Sequence, residues 1–97
     1  MEDRRKQVEA QLIEALGSEG KIRILRKLAE DPNGLFTAYV LAKATGLRRQ
    51  DAHKILGKLC QIGLVKPVAY GVTKYQINVE SDIAKRLIDF FKSVEAV

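Results

Sequence analysis

Arg48, Arg49, Lys54 and Lys58 fall within eleven residues, opposed only by Asp51 and interleaved with Gln50, His53 and, just beyond, Gln61. These side chains are hydrogen-bond donors and fixed charges. Arginine and lysine reach phosphates or guanine edges, and glutamine can make paired bonds to adenine. At a helical period Ala52, Ile55, Leu56 and Leu59 share one face, with Cys60 and Ile62 at its margins. Gln50, Lys54, Gly57 and Gln61 then point the opposite way, flanked by His53 and Lys58. A helix from about Arg49 to Ile62 is expected, with its outward face cationic, amide-bearing and free of carboxylates. Asp51 sits in the first turn, where the helix dipole favours an acid.

The elements around that helix must hold it outward. A first helix is expected over about 3–16, with Val8, Leu12, Ile13 and Leu16 on one face. Ser18 is an N-cap candidate for a second helix reaching Glu30, on which Ile22, Leu25, Leu28 and Ala29 recur every three to four residues. Asp31-Pro32-Asn33-Gly34 is a turn, and Leu35-Phe36 a minimal strand. Thr37 can cap a helix from Ala38 to Thr45. Gly46 suits the left-handed residue that closes it, and Leu47 plugs the core at the turn. Two strand-like runs, Leu64 to Tyr70 and Thr73 to Val79, are separated by Gly71-Val72, a hairpin connection. Pro67 lacks an N–H, which places its strand at a sheet edge. Ser81 caps a last helix to about Glu95, with Ile83, Leu87, Phe90, Phe91 and Val94 read as one stripe.

The chain has 97 residues, enough for one domain, with 46% hydrophobic and 30% charged residues. Between Pro32 and Val79 seven basic residues stand against the single acid Asp51, a net of +6. The remainder holds ten basic and eleven acidic residues, so the whole excess of +5 comes from the middle half. A solubilising surface predicts scatter; clustering predicts a polyanionic partner. No run is apolar enough to span a bilayer, and the N-terminal MEDRRKQVEAQ has no apolar core behind its charges. A single cysteine excludes an internal disulfide and fits a reducing compartment, so the chain is read as cytoplasmic. With one histidine and one cysteine there is no metal-ligand cluster, and no cofactor is expected. No nucleophile–base pair or phosphate-binding glycine loop is present, so the chain is not read as an enzyme.

The stretches LGSEGKIRILRKLAED and LAKATGLRRQDAHKILGKLCQIGLVKP resemble the second helix and the helix-turn-helix of ArsR- and MarR-like regulators. Ala42, the turn pair Gly46 and Leu47, the apolar set Ala52, Leu56 and Leu59, and the exit Gly63-Leu64-Val65 carry the resemblance, which covers about Leu16 to Val79. It implies a mostly α fold with a small antiparallel β-hairpin: a winged helix-turn-helix of order α-α-α-α-β-β-α. It also implies sequence-selective binding of double-stranded DNA by a homodimeric transcriptional regulator, with the helix at about 49–62 in the major groove. Two departures stand out. Arg48 replaces the serine or threonine usual at the entry to that helix, and so reaches a phosphate rather than capping. The hairpin has Lys74 as its only nearby base, so it touches backbone at most.

These readings give one domain over 1–97, with a winged-helix core at 17–79 flanked by dimerising helices at 3–16 and 81–95. DNA contacts are expected from Thr37, Lys43, Arg48, Arg49, Gln50, His53, Lys54, Lys58 and Lys74. The expected dimer interface is Val8, Leu12, Ile83, Leu87, Phe90, Phe91 and Val94, since the first and last helices supply more apolar surface than a small domain hides. His53 either touches DNA or faces solvent. Tyr39 could reach a phosphate, but the sequence does not single it out. Tyr70 and Tyr75 read as strand packing residues, and Cys60 as a buried small hydrophobe rather than a redox switch. The alternatives are a winged-helix protein–protein interaction module and a non-specific architectural DNA-binding protein.

Overall fold

Ser18 starts the first described element by accepting a hydrogen bond from the Lys21 N–H at 3.2 Å. The computed structural model describes residues 18–95, so the expected helix at 3–16, with Val8 and Leu12, lies outside them. Helix α1 is Glu19–Glu30. Glu19 sits in its first turn, where the dipole favours an acid, and pairs with Arg23 one turn on. Ile22, Leu25, Leu28 and Ala29 are buried as their spacing predicts, and so is Ile24. Ile24 lies off the face set by that three-to-four spacing and is buried because α1 has neighbours on more than one side. α1 runs through the middle of the domain.

Strand β1 is Phe36–Thr37 and helix α2 is Ala38–Thr45. Thr37 caps α2 by accepting from the Val40 N–H at 3.1 Å. Gly46 ends it at φ 74°, in the left-handed region, and the N–H groups of Gly46 and Leu47 both bond the Ala42 carbonyl. That closure turns the chain into helix α3, Arg49–Gln61. A side chain at position 46 would pay the steric cost of positive φ, so Gly46→Ala is expected to lower stability by about 1 kcal/mol. Urea titration should show a lower midpoint with an unchanged slope.

Strands β2 (Val65–Tyr70) and β3 (Val72–Ile77) form the hairpin, turned at Gly71 with φ 75°. The sheet order is β1-β3-β2, all antiparallel, with Phe36 opposite Tyr75 and Pro67 opposite the same Tyr75 on the other side. Pro67 therefore lies on an edge strand, where its missing donor costs no ladder bond.

β3 stops two residues before the expected Val79. Beyond its end, the Asn78 side-chain N–H donates to the Gly63 carbonyl, fifteen residues back, at 2.9 Å, and its side-chain oxygen accepts from the Glu80 N–H, two residues on, at 3.1 Å. Helix α4 follows as Asp82–Glu95, capped by Ser81, whose hydroxyl accepts from the Ala84 N–H at 3.2 Å.

α1 packs against α2, α3, β3 and α4, and the core gathers side chains from all of them. Leu28, Leu41, Ala52 and Leu56 are fully enclosed, with Leu59, Val65 and Ile77 nearly so. Phe91 corrects an expectation. It was assigned to a dimer seam, yet it is only 6% exposed and belongs to this core. α4 carries two adjacent apolar stripes. Ala84, Ile88 and Phe91 face the protomer's own interior, while Ile83, Leu87, Phe90 and Val94 form the second at a four-three-four spacing. Leu87 and Phe90 lie partly against the core, and Ile83 is 64% exposed.

Candidate nucleic-acid interface

α3 is anchored from beneath by Ala52, Leu56 and Leu59, all buried. Ile55 is half-buried against α1, where Gly20 permits the approach: a Cβ there would lie 2.8 Å from the Ile55 Cδ1. That anchoring leaves Arg49, Gln50, His53, Lys54, Gly57, Lys58 and Gln61 exposed, and Arg48 exposed just before them. Arg48 takes the N-cap position without a side-chain capping bond, so its guanidinium is not spent on the helix end. A Cβ at Gly57 would meet nothing within 4 Å, so nothing in the protein's own packing requires glycine there. Ile62, expected at the margin of the apolar face, is instead 66% exposed beyond the helix end.

The electrostatics of this surface are simple. Among the described residues, Lys43, Arg48, Arg49, Lys54, Lys58 and Lys74 form no ion pair. Lys66 does, with Glu80 at 3.3 Å, and leaves the cationic set the sequence implied. The remaining positive charge faces outward, and the one carboxylate on α3, Asp51, lies in the groove with Lys54 and Lys58 but forms no ion pair with either.

Two grooves take five of the expected contact residues, Thr37, Arg49 and His53 in one and Lys54 and Lys58 in the other, while Lys43, Arg48, Gln50 and Lys74 line neither. One, of about 190 Å³, lies between α2, α3 and the hairpin and is lined by Thr37, Tyr39, Arg49, His53, Thr73 and Tyr75, among others. Lys74 stands beside it, directly opposite Thr37 in the sheet register. The other, of about 480 Å³, runs between the start of α1 and α3 and brings Lys21 to Lys54 and Lys58 over a floor that includes Leu47 and Ile55. Lys21 was invisible as a contributor from sequence, because it lies some thirty residues before α3 and on a helix read as structural. The structure also ties Lys43 to Arg49. The Lys43 Nζ is 5.4 Å and the Arg49 Cζ 5.3 Å from the centroid of the Tyr39 ring. The hairpin turn Tyr70-Gly71-Val72 carries no charge.

Cys60 is half-buried, and that burial pushes its thiol up from its ordinary range. Burial, and secondarily the nearby Cys60, does the same to the Tyr75 hydroxyl. Among the described residues no group of three or more His, Cys, Asp or Glu side chains could hold a metal ion, and no helix is long and apolar enough to cross a membrane.

No protein-family model and no curated protein matches the chain. Solved structures do. The homodimeric winged helix-turn-helix DNA-binding domain of a possible ArsR-family transcriptional regulator from Mycobacterium bovis is 30% identical, with a TM-score of 0.65, and the match covers 97% of this chain and 86% of that one. The chain belongs to the ArsR-like winged helix-turn-helix family. A MarR family transcriptional regulator from Silicibacter pomeroyi DSS-3 shares the fold at 21% identity and a TM-score of 0.70, over 97% of this chain and 71% of that one. Lactococcus lactis ZitR, solved in complex with DNA, shares it at 18% identity and a TM-score of 0.62, over 79% of this chain and 51% of ZitR. In this ArsR-like chain α2, the Gly46 turn and α3 are the helix-turn-helix, and β2 with β3 is the wing. The minimal strand expected at Leu35-Phe36 is β1, one residue later at Phe36–Thr37, and it joins the hairpin in a three-stranded sheet.

Proposed function

We propose that this chain is a homodimeric transcriptional regulator that binds double-stranded DNA selectively, with α3 in the major groove. One observation carries the reading: α3 buries its apolar face in the domain and presents arginine, lysine, glutamine and histidine outward, without carboxylate partners for its cations. Arg48, Arg49, Lys54 and Lys58 meet phosphates or guanine edges, and Gln50 and His53 read bases. Thr37, Lys43 and Lys74 hold the backbone beside the groove. ZitR, solved in complex with DNA, and the DNA-binding M. bovis domain support DNA as the partner. A chain with this partner works where the duplex is, which we take to be the cytoplasm.

Dimerisation would use the outer stripe of α4, Ile83, Leu87, Phe90 and Val94, together with Val8 and Leu12 of the preceding segment. The homodimeric state of the M. bovis relative supports dimerisation, though not a particular seam. A two-fold pair of α3 helices would meet half-sites about one helical turn apart. Ile83→Asp places a charge on the exposed part of the stripe without entering the core. It is expected to weaken self-association roughly a hundredfold or more, because each copy would have to be desolvated. Sedimentation should then show folded monomers, and an unshifted dimer would place the seam elsewhere.

The DNA reading is tested by titrating the purified chain against a random duplex pool and a duplex selected from it, at low and at physiological salt. The selected duplex should bind about a thousandfold tighter or more, with affinity falling as salt rises. Equal binding to every duplex would make the protein architectural. No binding even at low salt would reject the DNA reading in favour of a protein-interaction module.

A further inference from the structure

We propose that Tyr39 is a positioning residue: its ring gathers Lys43 and Arg49 into a clamp for a single backbone phosphate at the edge of the major groove. The inference rests on the DNA-binding reading and names a device within that interface.

Lys43 lies one helical turn after Tyr39 on α2, and Arg49 is the first residue of α3. Both cations sit over the same aromatic ring, at 5.4 and 5.3 Å from its centroid. Two like charges drawn to one ring repel, and something must hold them there. A carboxylate would do so but would cancel the field that an incoming phosphate needs. The electron-rich face of a tyrosine attracts both cations and leaves their charge intact. Neither Lys43 nor Arg49 has an acidic partner among the described residues, so their N–H donors remain available.

The ring is placed to serve a ligand rather than the core. Tyr39 is 49% exposed and lines the groove that also holds Thr37, Arg49, His53 and Thr73. The Thr37 hydroxyl accepts from the Val40 N–H, which leaves its own proton to donate outward. A phosphate in this groove would meet the Arg49 guanidinium and the Thr37 hydroxyl, and the Lys43 ammonium, on the same Tyr39 ring, would reach it from the groove's edge. Holding both long side chains over the ring before binding removes part of the ordering cost that association otherwise carries.

The test uses the full chain and the selected duplex in fluorescence anisotropy titrations. Tyr39→Leu should weaken binding roughly three- to tenfold with an unchanged melting temperature, and Tyr39→Phe, which keeps the ring, should stay within about twofold of wild type. In a Lys43→Ala, Arg49→Ala background, Tyr39→Leu should have no further effect, because the ring acts only through those cations. A silent Tyr39→Leu in a wild-type background that binds DNA overturns the clamp and leaves the DNA reading standing. Loss in Tyr39→Phe as large as in Tyr39→Leu, or an undiminished loss in the double-alanine background, also overturns it. Wild-type protein that ignores every duplex overturns both.

Discussion

Arg49→Ala combined with Lys54→Ala is expected to reduce affinity for duplex DNA roughly 10- to 100-fold at physiological salt. The slope of log affinity against log salt should become shallower by about 1.8, since each lost phosphate contact removes about 0.9. The two side chains line different grooves, Arg49 beside the hairpin and Lys54 beside α1, so their losses should nearly add. Both are exposed and neither makes an ion pair among the described residues. Far-ultraviolet circular dichroism and the melting temperature should therefore match wild type. Anisotropy titrations across a salt series measure both quantities. Unaltered affinity at low salt would remove α3 from the DNA contact.

Leu56→Ala should have the opposite signature. Leu56 is fully enclosed on the inner face of the same helix, within the cluster that includes Leu28, Leu41 and Leu59. Truncating it removes apolar contact and leaves a cavity, at a cost of about 2–5 kcal/mol. A domain of this size has only about 5–15 kcal/mol in total. The melting temperature should fall by roughly 10–30 °C, as read by calorimetry or thermal circular dichroism. DNA binding by the fraction still folded should change little, because Leu56 does not face outward. Near-native stability would mean that α3 is not seated as described. Together the two variants divide one helix into a face that holds the fold and a face that meets the partner.

Much of this architecture was legible before folding, because its determinants are local. Ser18, Thr37 and Ser81 each cap the helix that follows, a bond spanning three residues in every case. Gly46 adopts the left-handed conformation that its position after α2 predicts. The alternation of apolar and cationic positions on α3 needed only a period of 3.6 to be sorted into inside and outside. Pro67 pointed to an edge strand because a residue without an N–H cannot serve a ladder on both sides.

The misses share a different cause. Phe91 and Phe90 are adjacent, both aromatic, and both on an apolar side of α4. Which of them enters the core depends on how α4 is rotated against α1, and no local property sets that rotation. Ile24 stands outside the Ile22, Leu25, Leu28 and Ala29 spacing and is buried only because α1 packs against α2, α3, β3 and α4. Lys66 seemed part of the cationic surface until the bend at Asn78 brought Glu80 within reach.

The candidate interface divides the same way. The residue types on α3, their spacing and the surplus of positive charge in the middle half of the chain were set by the sequence alone, since periodicity and charge do not depend on long-range contacts. That Tyr39 meets Arg49, that Lys21 joins Lys54 and Lys58, and which α4 stripe stays outside were decided only when the helices packed. Those pairings join residues ten to nearly forty positions apart, or fix the rotation of one helix on another, and both follow from how the enclosed side chains of α1, α2 and α3 fill the space between them.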